Sequence, residues 1–336
     1  MDTIDIHAHI YPTAYVDAVS EIAGRDRTEV PGVTATLRNP FVREHPLSGD
    51  DAIDERLRLM DAAGIRRQVL SLGAPNVWHP EPAERLRLCG TFNDACTAVC
   101  AQQPERFSML ATLPLPFIDI CLEELNRVAA SPHVEGVCLP ANVEGSPIDK
   151  VSYAPVYERL DELGAVVFFH PDGRSCGGQL EDYAMDWAVG ALVDDAVVAV
   201  RLVYSGLLER YPSVRWVVPH LGGVLPVLWQ RLDDFYHHEA PFLQQLRPTP
   251  PSAALPTIFY DTVTSQPEVI ALMERLVGPG RLVLGSDFPY RAAGSLAEPL
   301  ETVRASGLAT AAVRAIARGN LERILPSERH AVADDG

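Results

Sequence analysis

Three features of the chain predict an α/β protein built as a single (β/α)8 TIM barrel. Strand-like and helix-like segments alternate from end to end, the strands are nearly unbroken runs of Val, Leu and Ile, and His or Asp stands at the end of four of them. Parallel strands covered by helices on both faces read as continuous apolar runs, and eight of them interleaved with helices is the arithmetic of a closed barrel. A doubly wound open sheet shares the alternation. No Gly-x-Gly-x-x-Gly follows the first strand, however, which counts against its dinucleotide-binding form.

The first strand is read at 4–10, where Ile4, Ile6, Ala8 and Ile10 alternate with Asp5, His7 and His9 at the period of two that a strand imposes. The others follow at 67–73, 106–113, 134–141, 164–170, 214–220, 257–264 and 281–287. Helical stretches fall near 51–63, 81–102, 118–130, 153–163, 190–210, 223–238, 267–277 and 296–306, and a last one at 309–325 completes the barrel domain, 1–326. Two segments break the repeat. Residues 24–50 are a long polar excursion after strand one, leaving the barrel at the end where active sites are built, so a substrate-covering loop is expected there. Residues 239–256 form a Pro-rich connection before strand seven, and 327–336 read as a flexible tail.

Composition narrows the function classes. The 336 residues are 47% apolar with mean hydropathy near zero, enough for a substantial core. A net charge of −17 argues against nucleic acid or an anionic membrane as partner, and gives no support for a cationic substrate. No apolar run approaches the roughly 18 residues that span a bilayer. Asp2 and Asp5 stand where a secretory signal needs a basic start and an apolar stretch. The six cysteines, at 89, 96, 100, 121, 138 and 176, lie mostly in apolar patterns, with Cys96 and Cys100 one helical turn apart. Reduced buried thiols in a cytoplasmic protein are the expectation. Lys150 is the single lysine and sits in a loop, so a Schiff base or a carbamate bridging two metals is discounted.

The C-terminal ends of barrel strands converge on one mouth. They carry His7 and His9 on strand one, His170 on strand five, His220 on strand six and Asp287 on strand eight, whereas His45, His79, His133, His237, His238 and His330 end no strand. His7 and His9, at i and i+2, point to the same face and can reach one ion. Three imidazoles and one carboxylate, from His7, His9, His170 and Asp287, suit one divalent metal with an open position. Zn2+ is favoured, and Mn2+ or iron would accept the same set. His220 is left over as an acid–base group beside the ion. The Asp194-Asp195 and Asp233-Asp234 pairs read as solvated helix positions, and His237-His238 as a complement to a helix dipole.

The segments DIHAHIYP (5–12), RLRLMDAAGIRRQVLSL (56–72), FFHPDG (168–173), the run 187–223, LPVLWQRLDDF (225–235) and LGSDFPY (284–290) occur in this order across nearly the whole chain. In them the sequence resembles the amidohydrolase superfamily, and within it the aminocarboxymuconate-semialdehyde decarboxylase-like group. The resemblance implies that His7, His9, His170 and Asp287 hold the metal, that His220 assists, and that Asp287 delivers a proton. Strand four ends Cys138-Leu139-Pro140-Ala141-Asn142 without a lysine, in keeping with a single ion. A homodimer is also implied. Arg43-Glu44 matches a similarly placed Arg-Glu of the group, marking Arg43 as a carboxylate clamp. Arg174, Asn76 and Trp187 are further candidates to contact substrate.

The activity so implied is non-oxidative decarboxylation of a hydroxylated aromatic (salicylate-type) or related unsaturated carboxylic acid. Hydrolysis of a lactone or amide by metal-bound hydroxide stays open, as does a barrel scaffold without catalysis. Phe288 and Trp187, as walls of a dry apolar pocket, lean toward the decarboxylase.

Overall fold

Eight strands follow one another around a single sheet in chain order, every ladder parallel. They are β1 (Thr3–His9), β2 (Ile65–Ser71), β3 (Phe107–Ala111), β4 (Val134–Pro140), β5 (Val166–His170), β6 (Arg215–Val218), β7 (Phe259–Asp261) and β8 (Leu282–Val283). The computed structural model describes residues 2–25, 49–74, 76–172, 177–180, 182–240, 242–290 and 296–328. The ring closes where the chain beyond β8 runs beside β1. Ile6 N donates to Leu284 O (3.0 Å), Asp287 N to His7 O (2.7 Å) and His9 N to Phe288 O (2.6 Å). That closure brings the first and last strands together and sets Asp287 against His7 and His9.

The helices between the strands are α1 (Thr13–Arg25), α2 (Ile53–Ala63), α3 (Pro82–Gln102), α4 (Ile118–Val128), α5 (Ala154–Leu163), α6 (Ala191–Ser205), α7 (Leu225–Asp234), α8 (Pro267–Val277) and α9 (Glu298–Ala305). Helical turns from Thr310 to Ile324 follow them. The (β/α)8 barrel read from the alternation is therefore the fold. Sequence periodicity gave no helix to 13–25, yet Tyr15, Ala18, Val19 and Ile22 are buried at helical spacing, and Tyr15 meets Phe92 of α3 at 5.9 Å between ring centroids. Of the expected covering loop, residues 26–48 lie outside the described residues. The Pro-rich connection holds two short helices, Phe242–Leu246 and Pro251–Ala254, the second begun by Asp233, whose carboxylate accepts from Ser252 N (3.0 Å). A short hairpin after β4, Asn142–Val143 with Ser146–Pro147, is additional, and exposed Lys150 donates from there to Ser146 Oγ (2.8 Å). Cys89, Cys96, Cys100, Cys121 and Cys138 are buried free thiols, as the apolar patterns predict.

The bottom of the barrel is clamped by charge. Glu328 Oε1 accepts from Arg66 Nη2 (2.7 Å) and Arg67 Nη1 (2.8 Å), while Glu135 receives Arg67 Nη2 (3.1 Å) and Ser327 N (3.1 Å). The first two residues of the expected tail are thus tied down, and 329–336 lie outside the described residues. Burial raises the Glu328 carboxyl, but the two guanidiniums outweigh it and hold it below its ordinary value. A depressed folded-state value stabilises the fold above the unfolded carboxyl value near 4.5, and that contribution is lost as pH falls through the folded value. Glu328→Gln is expected to cost about 1–3 kcal/mol at pH 7 in urea denaturation. The difference from wild type should shrink as the pH is lowered below about 4.5. An equal cost at both pH values would refute the clamp.

Candidate active site

The mouth of the barrel is organised by what each imidazole does with its outer nitrogen. His7 Nδ1 faces Asp261 Oδ2 at 2.6 Å, His9 Nδ1 faces Ser71 Oγ at 3.1 Å, and His170 Nδ1 faces Pro171 O at 2.9 Å. Each outer contact orients its ring, leaving Nε2 to face inward. His7 Nε2 and His9 Nε2 stand 3.0 Å apart, each 3.2 Å from Asp287 Oδ1. One ligand-type atom from each of His7, His9, His170 and Asp287 lies within 4.8 Å of the rest, and all four residues are buried. Three nitrogen lone pairs and a carboxylate converging in a buried space are the donor set of a divalent cation, so the residues present fit the metal.

His220 is the fifth member. Its Nε2 lies 3.6 Å from Asp287 Oδ2, and its Nδ1 2.9 Å from Asp195 Oδ2. Its backbone N donates to Asp261 Oδ1 at 2.8 Å. Asp261 thereby serves two residues of the site, fixing the His7 ring with one oxygen and the His220 turn with the other, which also accepts from Val263 N. Gly285 makes room for it: a Cβ there would stand 3.0 Å from both Asp261 and His7 side-chain carbons. His220, Leu221 and Asp287 all have positive φ (52°, 55° and 58°), a left-handed conformation rare for such residues and concentrated at functional sites.

The electrostatics follow the packing. For His7 burial favours the neutral ring, but the Asp287 and Asp261 carboxylates outweigh it and raise the group to about 9. Burial dominates at His9, lowered to about 4, and at His170, which is held well below its ordinary value by burial and by the neighbouring His9 and His7 rings. Asp287 is held well below the usual carboxylate range; burial opposes this, and the His7 charge with hydrogen bonds from His220, His7 and His9 overrides it. His220 is raised well above its ordinary value because Asp195 and Asp287 outweigh its burial. A cation among these ligands would oppose every one of the charges on the rings.

All five strand-end residues therefore meet. Asn76 lies buried in the loop after β2, its Nδ2 without a hydrogen-bond partner among the described residues. Trp187 is 44% exposed on the helical turn Asp186–Gly190 ahead of α6, outside the buried group. Arg43 and Arg174 fall outside the described residues. Two expectations are corrected. Asp194 and Asp195 are not solvated: both are buried, Asp194 receiving Asp172 N (3.1 Å) and Asp195 holding His220. Phe288 does not wall the site either. It packs in the core with the Arg56 guanidinium 4.8 Å over its ring. The ring beside His9 is instead Tyr290, at 5.3 Å between centroids, with its hydroxyl on Ala74 O (2.6 Å).

A family model described as amidohydrolase matches residues 4–326. The chain belongs to the amidohydrolase family. Among curated relatives, the 2-amino-3-carboxymuconate-6-semialdehyde decarboxylase of Dictyostelium discoideum is 25% identical over 294 residues, 85% of this chain and 81% of that protein. The gamma-resorcylate decarboxylase of a Rhizobium species is 32% identical over 196 residues, 54% of this chain and 59% of that protein. Among solved structures, a dihydroxybenzoic acid decarboxylase from a Polaromonas species, with bound manganese and 2-nitroresorcinol, superposes with a TM-score of 0.77 at 22% identity, covering 96% of this chain and 97% of that one. An amidohydrolase barrel is thus the scaffold on which the site is built.

Asp261 offers the first test of that site. Asp261→Asn keeps the size of the side chain but weakens its grip on His7, and losing such an outer partner weakens metal binding by about 10–100-fold. Competition with a chromophoric chelator measures it, and an unchanged affinity would remove Asp261 from the design.

Proposed function

We propose that the protein is a metal-dependent, non-oxidative decarboxylase, a carbon–carbon lyase acting on a hydroxylated aromatic or related unsaturated carboxylic acid. The observation that carries this reading is the buried three-histidine, one-aspartate group with a further imidazole, His220, facing the same carboxylate 3.6 Å away. The family and the decarboxylase names of the relatives support it. His7, His9, His170 and Asp287 would hold one divalent ion, Zn2+ or Mn2+, which when bound orients the substrate oxygens and stabilises negative charge developing on them.

The chain's own residues supply the rest. The reaction needs a proton placed on the ring carbon that carries the carboxylate, and Asp287 Oδ2 with His220 Nε2 form the pair that can hold one at the mouth. Burial of the group keeps bulk water from competing for that proton. Arg43 and Arg174 are the proposed carboxylate clamps, with Asn76 Nδ2 a proposed donor to a substrate oxygen and Trp187 a proposed wall of the entrance. The segment 24–50 is the proposed cover. The same reading makes the protein a cytoplasmic homodimer. Five buried free thiols, and no described helix long and apolar enough to cross a membrane, support the compartment; exposed apolar side chains such as Val197 and Val227 support the dimer.

Metal analysis followed by CO2 release from a panel of salicylate-type acids tests the proposal. One equivalent of zinc or manganese with CO2 evolved is the expected result. One equivalent without CO2 would shift the assignment to hydrolysis, with lactones and amides next. No metal after reconstitution would overturn the strand-end argument itself.

A further inference from the structure

Besides Asp287 at Nε2, His220 is gripped from three sides, and only one of these grips acts on its ring. The turn that carries it is pressed onto α6: a Cβ on Gly223 would stand 1.9 Å from Leu192 O, and Val224 N donates to that same carbonyl at 3.2 Å. Glycine with φ of 60° is what allows this approach. Asp261 Oδ1 holds the His220 backbone N at 2.8 Å. The Nδ1 edge of the imidazole is left to Asp195, one turn along α6 from Leu192 and 1% exposed, whose Oδ2 meets Nδ1 at 2.9 Å. Asp195 Oδ1 has no hydrogen-bond partner among the described residues. Among the described residues the buried carboxylate thus has a single hydrogen-bond partner, the His220 ring. Burying a carboxylate for one contact is costly and needs that contact to be strong.

We infer that Asp195 is a positioning residue: it fixes the His220 ring with Nδ1–H directed into α6, so that Nε2 is the nitrogen presented to Asp287 and to substrate. A carboxylate accepts and does not donate, so it selects the form with hydrogen on Nδ1 whether or not Nε2 is protonated. The consequence for the reaction rests on the decarboxylase reading above. The ring carbon takes the proton held between Asp287 Oδ2 and His220 Nε2. The C–C bond to the carboxylate then breaks, its electron pair restores the ring, and CO2 leaves. Once CO2 and the product have left, the mouth is open to water and the pair regains its proton from solvent through Nε2. A ring turned over or held in the other tautomer would present a nitrogen with the wrong hydrogen inventory, and in hydrolases with a buried Asp–His pair that error is expensive in rate.

The test uses the zinc-loaded protein labelled with 15N-histidine. The His220 signals are identified as those missing from the His220→Gln spectrum. In wild type the Nδ1–H resonance of His220 is expected downfield and protected from exchange. It should be lost in Asp195→Ala, weakened or replaced by an Nε2–H signal in the equal-volume Asp195→Asn, and retained in Asp194→Asn. With substrate, Asp195→Asn should lower kcat by about 10²–10⁴-fold with KM within about threefold and zinc content unchanged. Persistence of the protected resonance in Asp195→Ala, or a kcat for Asp195→Asn within about threefold of wild type, overturns the inference. A folded Asp195→Asn suffices if the alanine variant does not fold. If wild type itself releases no CO2, the decarboxylase reading fails, while the resonance still decides the role of Asp195.

Discussion

His170→Ala will lose the metal, whereas His220→Ala will keep it and lose turnover. The two rings are 6.5 Å apart between centroids and both belong to the mouth, but their nitrogens face different things. His170 is turned by Pro171 O so that it joins His7, His9 and Asp287 in one buried donor set. Deleting it leaves three donors and an open wall, and metal affinity is expected to fall by more than the roughly 10–100-fold that loss of a mere outer partner costs. His220 has Asp195 on one nitrogen and the outer oxygen of Asp287 3.6 Å from the other, so its removal leaves the donor set whole. A positioned acid–base group contributes about 10²–10⁴-fold, which is the expected loss in kcat. Metal content by mass spectrometry and turnover at saturating metal separate the two. Equal metal loss in both variants would mean that His220 is itself a ligand.

The contrast also shows where sequence reading reaches and where it stops. The eight strands were legible because burial on both faces leaves an apolar run in each, and the five strand-end residues were legible because a parallel barrel gathers all its C-terminal ends. Asp261 escaped for a reason of boundaries. Strand seven reads as TIFYDTVT through residue 264, which hides Asp261 inside it, but the strand stops at Asp261 and places that carboxylate at the mouth like the others. Asp195 escaped because adjacent acids on a helix are usually solvated. The available signal was the company it keeps, since Ala191–Ser205 is apolar nearly all round and has little polar face to offer. Tyr290 and the core placement of Phe288 had no signal at all. Which of two neighbouring aromatics turns toward His9 depends on how the chain after β8 runs along β1, a tertiary fact that periodicity does not carry. Helix α1 was missed because its apolar positions adjoin a polar excursion that masks its period.

Arg56→Met is expected to destabilise the protein by about 3–5 kcal/mol and to weaken metal binding with it. Arg56 projects from α2 into the seam between β1 and β2 and is wholly buried. Its Nη1 donates to His9 O (2.8 Å) and its Nε to Gln68 Oε1 (2.8 Å). Gln68 Nε2 passes the chain on to Asp5 Oδ2 (2.8 Å), and Asp5 Oδ1 receives both His7 N (3.1 Å) and Ser286 N (3.0 Å). One connected network thus runs from the carbonyl of one histidine of the buried donor set to the amide of another and on to the residue before Asp287. Burial lowers the guanidinium only to about 10, so it remains charged at neutral pH, and it offsets the Asp5 carboxyl, whose own burial pushes it up. Methionine fills the space, but it leaves the His9 and Gln68 oxygens without a donor and Asp5 without its counter-charge. Unpaired buried groups of that kind are the expensive outcome, more so than loss of the pair as a whole. Arg58 on the same helix is the control: its side chain is 73% exposed and pairs with Glu55, so Arg58→Ala should shift stability by no more than about 0.5 kcal/mol. Urea denaturation with chelator and with saturating zinc separates the two parts of the effect. Loss of stability in chelator alone, with zinc affinity unchanged, would show that the network supports the barrel but does not set its histidines; no loss in either would show that the buried charge is dispensable.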